Sequence, residues 1–130
     1  MKAPEFLDVE DVLGIHAEAL AAFGGAAGVR DPGMLASAVA MPQASFAGEF
    51  LHEDLHAMAA AYAFHIAQNQ PFVDGNKRAA ILAAIVFLDL NGIDVPAATE
   101  PLHEAMIAVA ERRLDKVSLA AVLRRLGAPR

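Results

Sequence analysis

The chain has 130 residues, no cysteine and a formal net charge of −6. That length predicts one domain, residues 1–130, with a real core; the missing cysteines exclude disulfides and a thiolate nucleophile. The acidic balance argues against a broad basic face for nucleic acid. A hydrophobic fraction of 56% with 6% aromatic, the excess being alanine, predicts a compact all-α domain.

In chain order, the first 14 residues have no extended apolar run after Lys2 and do not read as a signal peptide. Asp8 is placed to cap a helix over Val9–Ala22, with Val9, Leu13, His16 and Leu20 on one face. Gly24 and Gly25 stop it, and Ala26–Gly28 continues as loop. Asp31-Pro32 is a second start, with Asp as cap and Pro in the first turn, and this helix ends near Met41-Pro42. Gln43–Glu49 reads as an exposed loop. A third helix is expected over Glu53–Gln68, turning Leu55, Ala59, Tyr62 and Ile66 inward. Pro71 forces Gln70 out of the helical region.

Gly75 or Asn76 then opens the most apolar helix, expected to be central and to end near Leu90 before Asn91-Gly92. Its run Ala79–Leu88 is too short to span a bilayer, which makes a soluble, cytoplasmic protein with no membrane partner the expectation. Ile93–Pro96 is a short extended connector. Thr99 is read as the cap of a helix over Glu100–Arg113, Ser118 as the cap of one ending at Leu126, and Gly127–Arg130 as a tail. The count is about six helices.

The stretch that carries chemistry is Asn69-Gln70-Pro71-Phe72-Val73-Asp74-Gly75-Asn76-Lys77-Arg78. It ends in the first turn of a helix, where the amides lack intrahelical partners and the macrodipole is positive, so the place attracts anions. Gly75 removes a Cβ that would keep a phosphate from the backbone. Lys77 and Arg78 are cations where the dipole disfavours them, which points to a ligand, and Asp74 is suited to a Mg²⁺ that bridges phosphates. A polar loop with Asn76 as cap and both cations in water accounts for the residues equally well.

The same residues resemble the Fic/Doc family, whose loop reads His-Pro-Phe-x-Asp/Glu-Gly/Ala-Asn-Gly/Lys-Arg; Pro71, Phe72, Asp74, Gly75, Asn76, Lys77 and Arg78 match it in register. Ile15-His16, Phe23-Gly24-Gly25, Gly28–Leu35, Phe87–Gly92 and Val109–Glu111 extend the likeness over nearly the whole chain. Lys77 stands where AMP-transferring members usually carry Gly, and Ile81 where they carry a second Arg. Both features resemble the Doc branch.

The resemblance implies a toxin of a type II toxin–antitoxin pair that uses ATP and Mg²⁺ to phosphorylate a threonine of elongation factor Tu and halt translation. A Phd-type antitoxin would be its partner, with no direct contact to nucleic acid. Asp74 would be the metal-associated acid, Gly75, Asn76, Lys77 and Arg78 would hold the phosphates, and Phe72 would pack the loop into the core. AMP transfer and a pure binding role are the alternatives.

Gln70 departs from the pattern, because the family carries its catalytic His there. An amide of similar volume hydrogen-bonds but accepts no proton near neutral pH, and losing a general base costs about 10²–10⁴-fold in rate. Three readings follow: a toxin disarmed by a His-to-Gln change, a natural pseudoenzyme that keeps nucleotide or antitoxin binding, or a base supplied from elsewhere. The first is preferred, since one conservative change in an intact loop is what disarming leaves. His65 is the nearest histidine, and between Phe64 and Ile66 it reads first as structural.

His16 likewise reads as a structural side chain that hydrogen-bonds the loop. His52 and His56, at i and i+4, have the spacing of a metal pair but read first as a solvated helix start. Phe46 in the Gln43–Glu49 loop occupies the place of the family's target-positioning flap. Arg112, Arg113, Arg124 and Arg125 sit near helix C-termini, where they complement the dipole.

Overall fold

The computed structural model describes residues 3–96 and 100–130. Six α-helices form among them: α1 (Val9–Phe23), α2 (Pro32–Ala40), α3 (Leu55–Asn69), α4 (Asn76–Leu90), α5 (Glu100–Ala110) and α6 (Lys116–Leu126). They make the compact all-α bundle expected from composition. Two short antiparallel ladders complete it. In one, β1 (Ser45–Phe46) pairs with β2 (Glu49–Phe50); in the other, β3 (Ile93–Asp94) pairs with β4 (Ala128–Pro129).

Local chemistry starts most of these helices. Asp8 closes a capping box on α1: its carboxylate accepts from the Asp11 amide at 2.8 Å, and the Asp11 side chain accepts from the Asp8 amide at 2.9 Å. Asp31 caps α2 ahead of Pro32, and Asp54 caps α3. Thr99, expected to cap α5, lies outside the described residues. The cap of α6 is Asp115 and not Ser118: the Asp115 carboxylate accepts from the Ser118 amide at 2.8 Å, which places Ser118 inside the first turn.

Other expectations also shift. The buried face of α1 is centred on Val12, Ile15, His16 and Ala19; Val9, Leu13 and Leu20 flank it half-buried. Gln43–Glu49 is not a plain loop but contributes to the β1–β2 hairpin, whose register sets Ser45 against Phe50 and Phe46 against Glu49. The connector after Asn91 and the tail after Leu126 pair with each other as β3 and β4. α5 stops at Ala110, and Arg112 beyond it adopts a left-handed backbone (φ +61) that ends the helix before Arg113.

α3 shares the centre with α4. It packs against α2, α4, α5 and α6, while α4 packs against α1, α3 and α5. Both helices bury mostly alanine: Ala59, Ala60, Ala61, Ala63 and Ala67 on α3, and Ala79, Ala80, Ala83 and Ala84 on α4. Small side chains bring the two backbones together. Tyr62, Phe72 and Phe87 supply the bulk, each burial being worth about 1.5–3 kcal/mol for an apolar side chain of this size.

Tyr62 and Asn91 use their polar atoms to hold the N-terminal segment. The Tyr62 hydroxyl accepts from the Leu7 amide at 2.8 Å and donates to the Leu7 carbonyl at 3.0 Å, fixing the N-terminal segment. Burial pushes its pKa up to about 12, so it stays a donor. The Asn91 carboxamide bonds both Glu5 backbone groups and the Phe87 carbonyl.

Candidate active site

The loop from Gln70 to Gly75 joins the end of α3 to the start of α4, and its backbone is held from three sides. Gln70 ends α3 in the left-handed region (φ +46), with its amide on the Ile66 carbonyl. A residue with a Cβ is held there only by its surroundings. Arg30 provides them: its Nε donates to the Gln70 carbonyl at 2.7 Å and its second guanidinium nitrogen to the Asn69 carbonyl at 2.8 Å. The amides of Arg30 and Asp31 converge on the Pro71 carbonyl, at 2.7 and 3.1 Å, and the Val73 amide donates to Gly28. Val29 and Phe72 form an isolated antiparallel bridge.

Phe72 is buried (1% exposed), as the motif reading expects, and its ring lies face to face with His16 at 3.7 Å and 4°. His16, 5% exposed, donates from Nε2 to the Asp74 carbonyl at 2.8 Å. Its structural reading holds. The Asn76 carboxamide closes the loop, accepting from the Phe72 amide and donating to the Phe72 carbonyl, each at 3.0 Å. That side chain is thereby held by the loop backbone, while Asn76 itself lines the cleft.

Gly75 is the N-cap of α4 at φ +77, and no side chain caps this helix. Asp8, Asp31, Asp54 and Asp115 cap the other four helices whose starts are described. The amides of the first turn of α4 are therefore open. A Cβ on Gly75 would meet Leu20 and His16 at ordinary contact distance. The glycine is needed for its left-handed backbone. At Gly25 (φ +121) crowding adds to the backbone requirement: a Cβ there would stand 3.0 Å from the Asp74 carboxylate and from Leu20.

The Asp74 carboxylate is exposed; one oxygen accepts from the Gly75 amide at 2.9 Å and the other from the Ala26 amide at 3.2 Å. Lys77 is exposed, and the Arg78 guanidinium lies 3.7 Å from the centre of the Phe23 ring. Gln70, Asp74, Gly75, Asn76, Lys77 and Arg78 all line one open cleft of about 590 Å³, which Phe23, Gly24, Gly25, Ala67, Val73 and Ala110 complete. The structure brings the whole sequence-predicted set together.

It separates the other candidates from that cleft. His65 accepts on Nε2 from the Lys116 ammonium at 3.1 Å. Burial, followed by the charges of Lys116 and His52, pushes its pKa down to about 4, and it is not in the cleft lining. His52 and His56 do not form a metal centre, since among the described residues no three metal-ligating side chains gather. Arg124 and Arg125 stand in the last turn of α6 as expected, and Arg124 also pairs with Asp54 and Glu53 across to α3, while Arg113 pairs with Glu111. Sequence reasoning gave Phe23 and Arg30 no role beyond the family likeness of the segments Phe23-Gly24-Gly25 and Gly28–Leu35.

A family model described as the Fic/DOC family matches residues 6–88, spanning α1 through most of α4 and the loop between α3 and α4. The chain belongs to the Fic/DOC family. It is 43% identical over 121 residues to the protein named Toxin Doc of Mycolicibacterium smegmatis, covering 92% of this chain and 91% of that one. It is 32% identical over 117 residues to the protein named Protein kinase doc of Escherichia phage P1, covering 90% and 91%. Within the Fic/DOC family the chain is thus a homologue of Doc proteins along nearly its full length. No helix among the described residues is long and apolar enough to cross a membrane.

Proposed function

We propose that this chain is the toxin of a type II toxin–antitoxin pair, that the cleft at the start of α4 takes Mg²⁺-ATP, and that its chemistry is transfer of the γ-phosphoryl group to a threonine of elongation factor Tu. The observation that carries the nucleotide reading is the uncapped N-terminus of α4, with Lys77 and Arg78 in its first turn and no carboxylate paired with either among the described residues. Open amides, the helix dipole and two free cations together form a place for a polyphosphate. A Phd-type antitoxin is the proposed partner that holds the toxin in check.

The residues fit the proposed ligands. The amides of Asn76, Lys77 and Arg78 and the two cationic side chains hold phosphate oxygens, and the Asp74 carboxylate keeps lone pairs for a magnesium ion. When bound, the ion offsets phosphate charge during transfer. His16, Asn76 and Arg30 keep the loop in one conformation, so these donors need no rearrangement on binding. The name of the phage relative favours a kinase over an AMP transferase. So do Lys77, which adds a cation beside the phosphates, and Ile81, which is buried in the core one turn further on and leaves no second arginine there.

In the reaction, the target hydroxyl oxygen bonds to the γ-phosphorus, the bond to the leaving diphosphate breaks, and the hydroxyl proton passes to a base at position 70. Gln70 is exposed at the cleft but its amide takes no proton near neutral pH, so the chain is slower by about 10²–10⁴-fold than one with His there.

The test has two arms. By calorimetry, Arg78→Ala should weaken Mg²⁺-ATP binding by about 1.5–3 kcal/mol, the worth of a charge-assisted contact; equal affinities would remove the phosphate site. With Gln70→His, γ-labelled ATP should mark a threonine of elongation factor Tu. Label from the α-position means AMP transfer, and no label with ATP still bound leaves a nucleotide- or antitoxin-binding pseudoenzyme.

A further inference from the structure

Phe23, at the end of α1, is 60% exposed, yet it is the partner of a cation of the cleft: the Arg78 guanidinium carbon stands 3.7 Å from its ring centre. The arginines elsewhere that form ion pairs, Arg113, Arg124 and Arg130, take carboxylates. Arg78 takes none, in a chain with 16 acidic residues. The difference has a chemical consequence. A carboxylate neutralises a guanidinium and occupies its N–H groups, whereas an aromatic face restrains it through the ring quadrupole and leaves all five donors free. The chain on either side of Phe23 is anchored, since the segment that follows it is tied to the loop through the Ala26 amide and α1 through His16, both on Asp74.

We propose that Phe23 is a positioning residue: its ring holds Arg78 at the cleft, still charged and with its donors free, in the orientation that receives an oxyanion of the ligand. The proposal rests on the reading of the cleft as a phosphate site and adds the device that keeps its arginine in place. A salt bridge in the same position would compete with the ligand. A leucine would leave the long side chain to wander, with the helix dipole pushing it outward.

Calorimetric titrations with Mg²⁺-ATP and with inorganic tripolyphosphate test this in the native chain, in Phe23→Leu, Phe23→Trp and Phe23→Glu, and in Arg78→Ala. Phe23→Leu, at an exposed position, should melt like the native chain and bind both ligands about two- to fivefold more weakly, the size of an exposed cation–π contact. Phe23→Trp should keep the native affinity, and Phe23→Glu should lose more than Phe23→Leu because its carboxylate captures the guanidinium. In an Arg78→Ala background Phe23→Leu should cost nothing further. The chain has no tryptophan, so Phe23→Trp introduces a single indole. Its emission should shift on tripolyphosphate binding, and not when Arg78→Ala is added.

Weaker binding of ATP with unchanged binding of tripolyphosphate would mean that the ring stacks on the nucleobase, which overturns the proposal. So would additive losses in the double variant. If Arg78→Ala weakens both ligands and Phe23→Leu neither, the positioning role falls while the phosphate site stands. If Arg78→Ala changes nothing, the phosphate site falls and takes the proposal with it.

Discussion

His65 shows how far one side chain's surroundings decide its role. On α3 it faces Lys116 of α6, and an imidazole that accepts from an ammonium is neutral. Its pKa is lowered to about 4 by burial first and by the Lys116 and His52 charges next. Burial also lowers the pKa of His52 and His56. The unfolded chain takes up the His65 proton below pH 6.5, near the usual value, and the folded chain only near 4. The unfolded state therefore binds more protons in that window, and stability falls as pH drops from 6.5 toward 4. We expect melting temperatures measured between pH 7.5 and 4.5 to decline, and His65→Gln, which keeps an acceptor for Lys116, to flatten part of that decline. Equal slopes in the two proteins would mean that His65 titrates normally.

At the scale of elements, the five helix starts that lie among the described residues follow one rule with one exception. Four helices begin at an aspartate whose carboxylate takes an amide of the first turn, and α4 begins at a glycine with none. Burial alone would raise the Asp54 pKa, but the Ala57 amide and the Arg124 guanidinium outweigh it and hold the carboxyl below its usual value. Asp54 thus caps α3 and ties it to α6 at once. The cap of α6 gives a direct test. Asp115→Ala should lower the melting temperature, because the Ser118 amide loses its acceptor, whereas Ser118→Ala keeps the Asp115 contact to that amide and should change it far less. The reverse order would restore Ser118 as the cap.

For the whole molecule, alanine sets how closely α3 and α4 approach. Ala83 is fully buried, and a larger side chain there must move a helix or leave its preferred rotamer. Ala83→Leu should cost about 1–3 kcal/mol, read as a lower urea midpoint with an unchanged slope. An unaltered midpoint would reveal slack beside Ala83 and weaken the close-packing account. Since α4 carries the open amides at its first turn, such a shift is also expected to reach the cleft.

The sequence by itself determined what depends on neighbours along the chain. Alanine-rich apolar runs gave helices; Asp8, Asp31 and the Gly24, Pro71 and Asn91 breaks placed their ends within a residue or two, because a cap or a breaker acts on its own backbone. Residues 70–78 were legible as one chemical unit because they are contiguous. The tertiary structure alone decided what those groups touch within the fold. The Asn76 carboxamide is found on the Phe72 backbone, and the exposed Arg78 guanidinium is found on the Phe23 ring. His16 meets Asp74 across 58 residues, and Arg30 meets Gln70 across 40. Such pairings leave no period in the sequence, and strands of two residues are too short for alternation to show. Periodicity reports which face of an element is apolar; which partner that face or its polar edge meets is settled only when the whole chain has packed.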